Sequence, residues 1–126
     1  NERRDAPSAT LVRVDLDGAG REEVLVTYER ITNAHIGAAD DFSAIYVRYP
    51  SADGSVVDEL LWSYVLDDPV DFPTPGRSTI AAVADLNGDG RMEVALREMF
   101  WESIRNTVWE LRDGRLVEIL AGGCSI

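Results

Sequence analysis

Cysteine and histidine are almost missing from this chain, which has one of each in 126 residues. The single thiol, Cys124, excludes an internal disulfide and leaves the redox compartment open. The single imidazole, His35, has no cysteine or second histidine with which to form a zinc set, so we interpret it as a surface residue. Metal sites built from thiolates or imidazoles are therefore excluded.

Long apolar runs and positive charge are also scarce. No apolar stretch approaches the roughly 18 to 20 residues that cross a bilayer, so we expect no membrane insertion. The basic residues are scattered, and the net charge of −11 would repel phosphate backbones, which argues against a nucleic-acid partner. The sequence begins without Met and without a basic segment followed by an apolar one. We therefore expect a mature or excised piece, from which any signal peptide or upstream domain has been left out.

The length and the apolar content are ordinary for a globular protein. A chain of 126 residues, 45% of them hydrophobic, fits one domain and can bury a core without an obligatory metal or disulfide. Residues 1–126 are accordingly predicted to form a single domain.

Two acidic, glycine-containing stretches stand out from this background. They read "VDLDGAGREEV" from Val14 to Val24 and "ADLNGDGRMEV" from Ala84 to Val94. When they are aligned at an offset of 70 residues, seven of the ten positions from Asp15 onward are identical. Chance is a poor explanation for this agreement, so the chain contains an internal repeat.

Each acidic stretch lies between two apolar runs with the character of strands. Residues 11–16 and 24–30 flank the first stretch, and residues 80–86 and 94–100 flank the second. Further along each half, an Asp-Gly pair between alternating runs predicts a hairpin, at Asp53-Gly54 and at Asp113-Gly114. Each half therefore reads as a meander of four strands.

The boundaries of the two repeats follow from the prolines. Residues 67–78 contain three prolines, which prohibit a central strand or a helix there, and we interpret this segment as a linker. The repeats are then about 8–66 and 79–123. Only residues 58–65 are ambiguous between a strand and a short helix. The predicted fold class is all-β, with two four-stranded antiparallel sheets.

The second acidic stretch has the composition of a calcium loop. Calcium takes six to eight oxygen ligands in flexible geometry, and alternate Asp and Asn side chains in a tight loop can supply them. Two glycines allow the left-handed backbone that folds such a loop around an ion. A set made only of oxygen suits a hard cation, and the small octahedral shell of magnesium fits it less well. The candidate ligands are Asp85, Asn87, Asp89, the carbonyl of Arg91, and Glu93.

The EF-hand, another calcium loop, does not fit. It requires a bidentate Glu at its twelfth position, but that position is Leu96 when counted from Asp85 and Val26 when counted from Asp15. It also requires helices on both sides, where this sequence predicts strands.

The pattern Asp-x-Asn-Gly-Asp-Gly-x-x-Glu between two strands, repeated after 70 residues, resembles the FG-GAP repeats of integrin alpha-subunit propellers and the related VCBS-type repeats. This resemblance implies a four-stranded blade for each repeat and calcium in each acidic loop. In the first loop it implies Asp15, Asp17, the Arg21 carbonyl and Glu23 as ligands. Ala19 stands where Asp89 stands in the second loop, so the first site lacks one ligand.

The architecture departs from that family, because such repeats usually close into a ring of about seven blades. Two repeats cannot close a ring by themselves. We expect the two sheets to pack face to face as a sandwich, since strand edges and apolar faces must be buried. The alternative is part of a propeller completed by other chains or by missing sequence.

Catalysis is not indicated. A Ser-His-Asp triad would have to use His35, no Ser lies in a Gly-x-Ser-x-Gly turn, and Cys124 lies at an end that we expect to fray. The sequence is interpreted as a noncatalytic calcium-binding module of a secreted, periplasmic or cell-surface protein that contacts protein or glycan and can form oligomers. The alternative is an accessory or inhibitory domain of an exported hydrolase whose catalytic part is absent.

Overall fold

All regular structure in the described part of the chain is β-strand. The computed structural model describes residues 6–32, 37–66, 76–100 and 102–125. The eight strands are β1 (Ser8–Val14), β2 (Glu23–Arg30), β3 (Phe42–Pro50), β4 (Val56–Val65), β5 (Arg77–Ala84), β6 (Glu93–Phe100), β7 (Ser103–Arg112) and β8 (Arg115–Ser125).

The strands form two antiparallel meanders, with orders β1-β2-β3-β4 and β5-β6-β7-β8. The predicted all-β fold of two four-stranded sheets is confirmed. The segment that fitted either a strand or a helix, residues 58–65, lies entirely within β4. Within the described ranges, no helix has the length and apolar character needed to span a membrane.

Local sequence explains the tightest turn. At Asp113-Gly114, between β7 and β8, both residues have positive φ, 49° and 73°, as a type I′ turn requires. Asp tolerates this backbone and Gly adopts it without steric cost, so the predicted hairpin forms. At the other predicted hairpin, Asp53-Gly54, only Gly54 has positive φ, and the connection is longer.

The two sheets share one hydrophobic core, as expected for face-to-face packing. We call the face of each sheet that lines this core its inner face, and the opposite one its outer face. The first inner face supplies Leu25, Ile45 and Val47, and the second supplies residues of β6 and β7. The buried core residues are Leu16, Leu25, Ile45, Val47, Leu61, Val94, Leu96 and Leu111.

Polar contacts also connect the sheets beside the core. The Tyr49 hydroxyl lies 2.8 Å from the Gly114 carbonyl oxygen and 3.1 Å from Glu59 Oε2. The Leu116 amide donates to Glu59 Oε1 at 3.2 Å. Burial, the Glu59 hydrogen bond and the Glu59 charge raise the pKa of Tyr49, so this hydroxyl stays protonated at neutral pH. These bonds attach β3 and β4 to the β7–β8 hairpin.

The expectation of a frayed end at Cys124 was wrong, and the β2–β3 connection contains a buried carboxylate that the sequence did not single out. Asp41 is buried and accepts hydrogen bonds from Thr32 and Ala38. Burial alone would raise the pKa of Asp41, but these hydrogen bonds lower it, so the carboxylate anchors the β2–β3 connection. Cys124 is exposed but does not lie in a frayed end, because it belongs to β8 and pairs there with Ile104 of β7. His35 and most of the predicted linker (67–75) lie outside the described residues.

Glu98 provides a test of how a buried charge affects this fold. Its side chain is buried opposite Ser78 and Arg105, and burial raises its pKa despite the guanidinium of Arg105 3.9 Å away. A raised pKa in the folded state means that ionisation costs stability as the pH rises through that value. Glu98→Gln is therefore expected to raise the urea midpoint at neutral pH, and the difference from wild type should shrink as the pH falls. Lower stability at neutral pH would show that the ion pair with Arg105 outweighs the cost of burial.

Candidate metal centre

Two loops with the same backbone conformation join the first two strands of each sheet. The first connects β1 to β2, and the second connects β5 to β6. Their glycines have positive φ at matching positions, 73° at Gly18 and 77° at Gly88, then 86° at both Gly20 and Gly90. The repeat seen in the sequence is therefore also a repeat of loop geometry.

Each loop brings three carboxylates together. Oxygens of Asp15, Asp17 and Glu23 lie within 4.8 Å of one another in the first loop. In the second loop, oxygens of Asp85, Asp89 and Glu93 do the same. Since like charges repel at such distances, each cluster could hold a metal ion that offsets the repulsion.

Backbone amides fix the carboxylates in equivalent ways. The Gly20 amide donates to Asp15 Oδ2 at 2.8 Å, and the Gly90 amide donates to Asp85 Oδ2 at 2.9 Å. The last carboxylate of each loop reaches back to its start. Leu16 N–H donates to Glu23 Oε2 at 2.7 Å, and Leu86 N–H donates to the equivalent Glu93 oxygen at 2.6 Å.

Two buried oxygens in these clusters have no hydrogen-bond partner among the described residues, Asp15 Oδ1 and Glu93 Oε1. Glu93 is only 1% exposed, so bulk solvent has little access to its carboxylate. Leaving a buried acceptor unpaired costs about 1–3 kcal/mol, and more when the group is charged. A cation in each cluster would satisfy the unpartnered oxygen of that cluster.

A second buried carboxylate lies next to Glu93. Glu110 of β7 lies directly opposite it and is equally buried, but Glu110 is paired with Arg112 at 3.1 Å and Arg91 at 3.6 Å. Within the described residues, Glu93 makes no ion pair. Of two adjacent buried carboxylates, the protein thus neutralises one, and a cation could neutralise the other. The sequence did not single out Glu110, because only the β6–β7 register places it there.

Glu23, the counterpart of Glu93, also lies in an environment that disfavours its charge. Burial raises the pKa of Glu23, a hydrogen bond from Leu16 N–H opposes this effect, and the negative charges of Asp17 and Asp15 raise the pKa further. A bound cation would reverse the balance by stabilising the carboxylate.

The remaining predicted ligands take part in the second loop in different ways. Asn87 Oδ1 accepts the Asp89 amide at 3.1 Å, and Asp89 Oδ1 accepts the Arg91 amide at 2.9 Å. In the first loop Asp17 takes the place of Asn87, since its Oδ1 accepts the Ala19 amide at 2.9 Å. Nothing in the first loop replaces the Asp89 carboxylate, and Arg21 lines a neighbouring cavity of about 310 Å³ together with Tyr49.

Comparison of the chain with protein-family models, with curated proteins and with solved structures gave no match. The similarity to FG-GAP and VCBS repeats therefore remains an expectation from the loop sequences alone.

The two loops touch each other. The Met92 amide at the end of the second loop donates to the Leu16 carbonyl of the first at 2.8 Å. The Gly18 backbone approaches Gly90 so closely that a Cβ on Gly18 would lie 2.8 Å from the Gly90 carbonyl oxygen. The two acidic clusters are consequently neighbours, although their sequences are 70 residues apart.

Proposed function

We infer that this chain is a noncatalytic calcium-binding β-repeat module of an exported or cell-surface protein, and that it contacts protein or glycan. The observation that carries the proposal is the unpartnered Glu93 Oε1, buried beside Asp85 and Asp89 in a loop whose described residues have no other buried side-chain atom without a partner. Metal binding would supply the missing partner and would rigidify both loops.

The donor chemistry favours calcium over other ions. Within the described residues, each cluster offers carboxylate oxygens and no nitrogen or sulfur ligand, which suits a hard cation. Calcium accepts irregular sets of six to eight oxygens, whereas magnesium demands a near-ideal octahedron. Exposed loops of this kind have modest affinity, which fits the roughly millimolar calcium found outside cells. That match supports an exported or cell-surface location.

The difference between the loops supplies the test. Asp89 and Ala19 occupy equivalent positions, so the chain contains a loop with the central carboxylate and a loop without it. Both acidic clusters contain three carboxylates, but the second loop has a fourth side-chain oxygen ligand in Asn87, and calcium binding depends on the number of oxygen ligands as well as on their charge. We expect wild type to show one tight and one weak site in calorimetric titration. Asp89→Ala should give two weak sites, and Ala19→Asp should give two tight ones.

Two controls separate charge from loop structure. Asp89→Asn keeps a side-chain oxygen that can accept the Arg91 amide but removes one negative charge, so it should weaken the second site while the loop stays folded. Titration with magnesium in place of calcium should give weaker binding at both sites. If wild type binds no calcium, the proposal is wrong for both loops. If Ala19→Asp leaves the stoichiometry and both affinities unchanged, the proposal is wrong for the first loop.

A further inference from the structure

The two sheets bury opposite faces: a position of the repeat that faces the core in one sheet faces outward in the other. In the first sheet, Leu25 points into the core, but the equivalent residue of the second sheet, Ala95, lies on the outer face. In the second sheet, Val94 points into the core, and its equivalent Val24 lies on the outer face of the first sheet. The sheets are therefore packed head to tail and are not related by a twofold axis.

Head-to-tail packing leaves two complementary faces open. The outer face of the second sheet is equivalent to the inner face of the first, which is covered. The outer face of the first sheet is likewise equivalent to the covered inner face of the second. An interface between unlike faces of this type can be repeated by adding further copies, which form rings or filaments.

Equivalent residues of the two loops show which side lacks its neighbour. Leu16 is 0% exposed because the second sheet covers it, whereas Leu86 at the same position of the second loop is 61% exposed. A Cβ on Gly18 would collide with Gly90, but one on Gly88 would meet nothing within 4 Å. The surface around Leu16 and Gly18 in the first repeat is therefore covered by the second repeat, whereas the equivalent surface around Leu86 and Gly88 is open.

Exposed apolar side chains lie on these same faces. In the first sheet, every large exposed hydrophobic residue of the described strands points outward by the strand register, namely Leu11, Tyr28, Val56, Leu60 and Val65. On the outer face of the second sheet the corresponding residues are Ile104, Val117 and Leu120. Burying these exposed apolar side chains against another protein would be favourable.

We propose that the chain associates head to tail with a second copy of itself, the outer face of one first sheet packing on the outer face of another copy's second sheet. The partner is a second copy because the two outer faces are equivalent, by the repeat, to the two inner faces that pack together within one chain. The apolar residues exposed on both faces would be buried by that contact. This inference does not depend on metal binding.

Two charge insertions test the proposal. Leu60 is 57% exposed and Leu120 is 65% exposed, so Leu60→Lys and Leu120→Lys should each fold normally while blocking one outer face. Sedimentation equilibrium of wild type over a wide concentration range should give masses above that of a single chain. Each variant alone should remain a monomer, because every head-to-tail contact needs both faces. An equimolar mixture of the two variants should form a dimer and nothing larger, since one complementary pair of faces is intact.

Other outcomes would overturn the inference. A wild type that stays monomeric at all concentrations rules out self-association. If Leu120→Lys remains oligomeric while Leu60→Lys does not, copies pair through like faces and the head-to-tail arrangement is wrong. Ala52→Lys, in the exposed β3–β4 turn, adds the same charge outside both faces and should behave as wild type. Leu11→Lys is a second variant of the first face, and thermal melts check that each variant is folded.

Discussion

Glu93→Gln is expected to destabilise the protein in calcium and to leave it equally stable, or more stable, in chelator. In calcium, wild type should gain roughly 2.7 kcal/mol when the free ion is at about 100 times the dissociation constant. The variant should lose most of that gain, which corresponds to a melting temperature lower by on the order of 10 °C. Without metal, Gln retains an oxygen for the Leu86 amide and removes a buried negative charge, one oxygen of which has no partner, so the penalty for burying that charge disappears.

The measurement is thermal unfolding of wild type and variant, each in calcium and in chelator at matched ionic strength. Glu22→Gln is the matched control, because Glu22 is an exposed neighbour of the first loop that pairs with Arg13. It should melt as wild type does in both buffers. Superimposable wild-type melts with and without calcium would contradict metal binding. A Glu93→Gln variant that is destabilised equally in both buffers would instead assign Glu93 a purely structural role.

Gly18→Ala is expected to cost considerably more stability than Gly88→Ala, although the two glycines are equivalent in the repeat. Both have positive φ, and an alanine in that backbone region costs about 1–2 kcal/mol. Only at position 18 would the added Cβ also lie 2.8 Å from a backbone oxygen, that of Gly90. Relieving this clash means moving one loop away from the other, with an additional cost of about 1–3 kcal/mol.

Urea unfolding in chelator measures this difference without any contribution from bound metal. Gly20→Ala completes the comparison, since Gly20 belongs to the same loop as Gly18, has φ of 86°, and has open space around its Cβ position. Its cost should match that of Gly88→Ala. Equal losses for all three variants would mean that the contact between the loops contributes nothing measurable to stability.

The sequence by itself predicted the local structure. Alternating apolar residues, Asp-Gly turns and an offset of 70 residues between the acidic loops were sufficient to predict two four-stranded meanders. These features depend on interactions between residues close in the chain, such as the positive φ of Asp113 and Gly114. For the same reason the carboxylates in each loop could be named in advance, because all of them lie within nine residues of one another.

The tertiary structure decided everything that depends on residues distant in the chain. Alternation along β2 and β6 shows that each strand has two faces but does not show which face is covered, so the opposite placement of Leu25 and Ala95 was not predictable. The position of Glu110 opposite Glu93 depends on strand register, which turn geometry and the packing of a whole face determine together. The contact between the two acidic loops likewise exists only because the sheets pack head to tail. That packing buries apolar side chains from both halves of the described chain in one core, a property that no single segment of the sequence encodes.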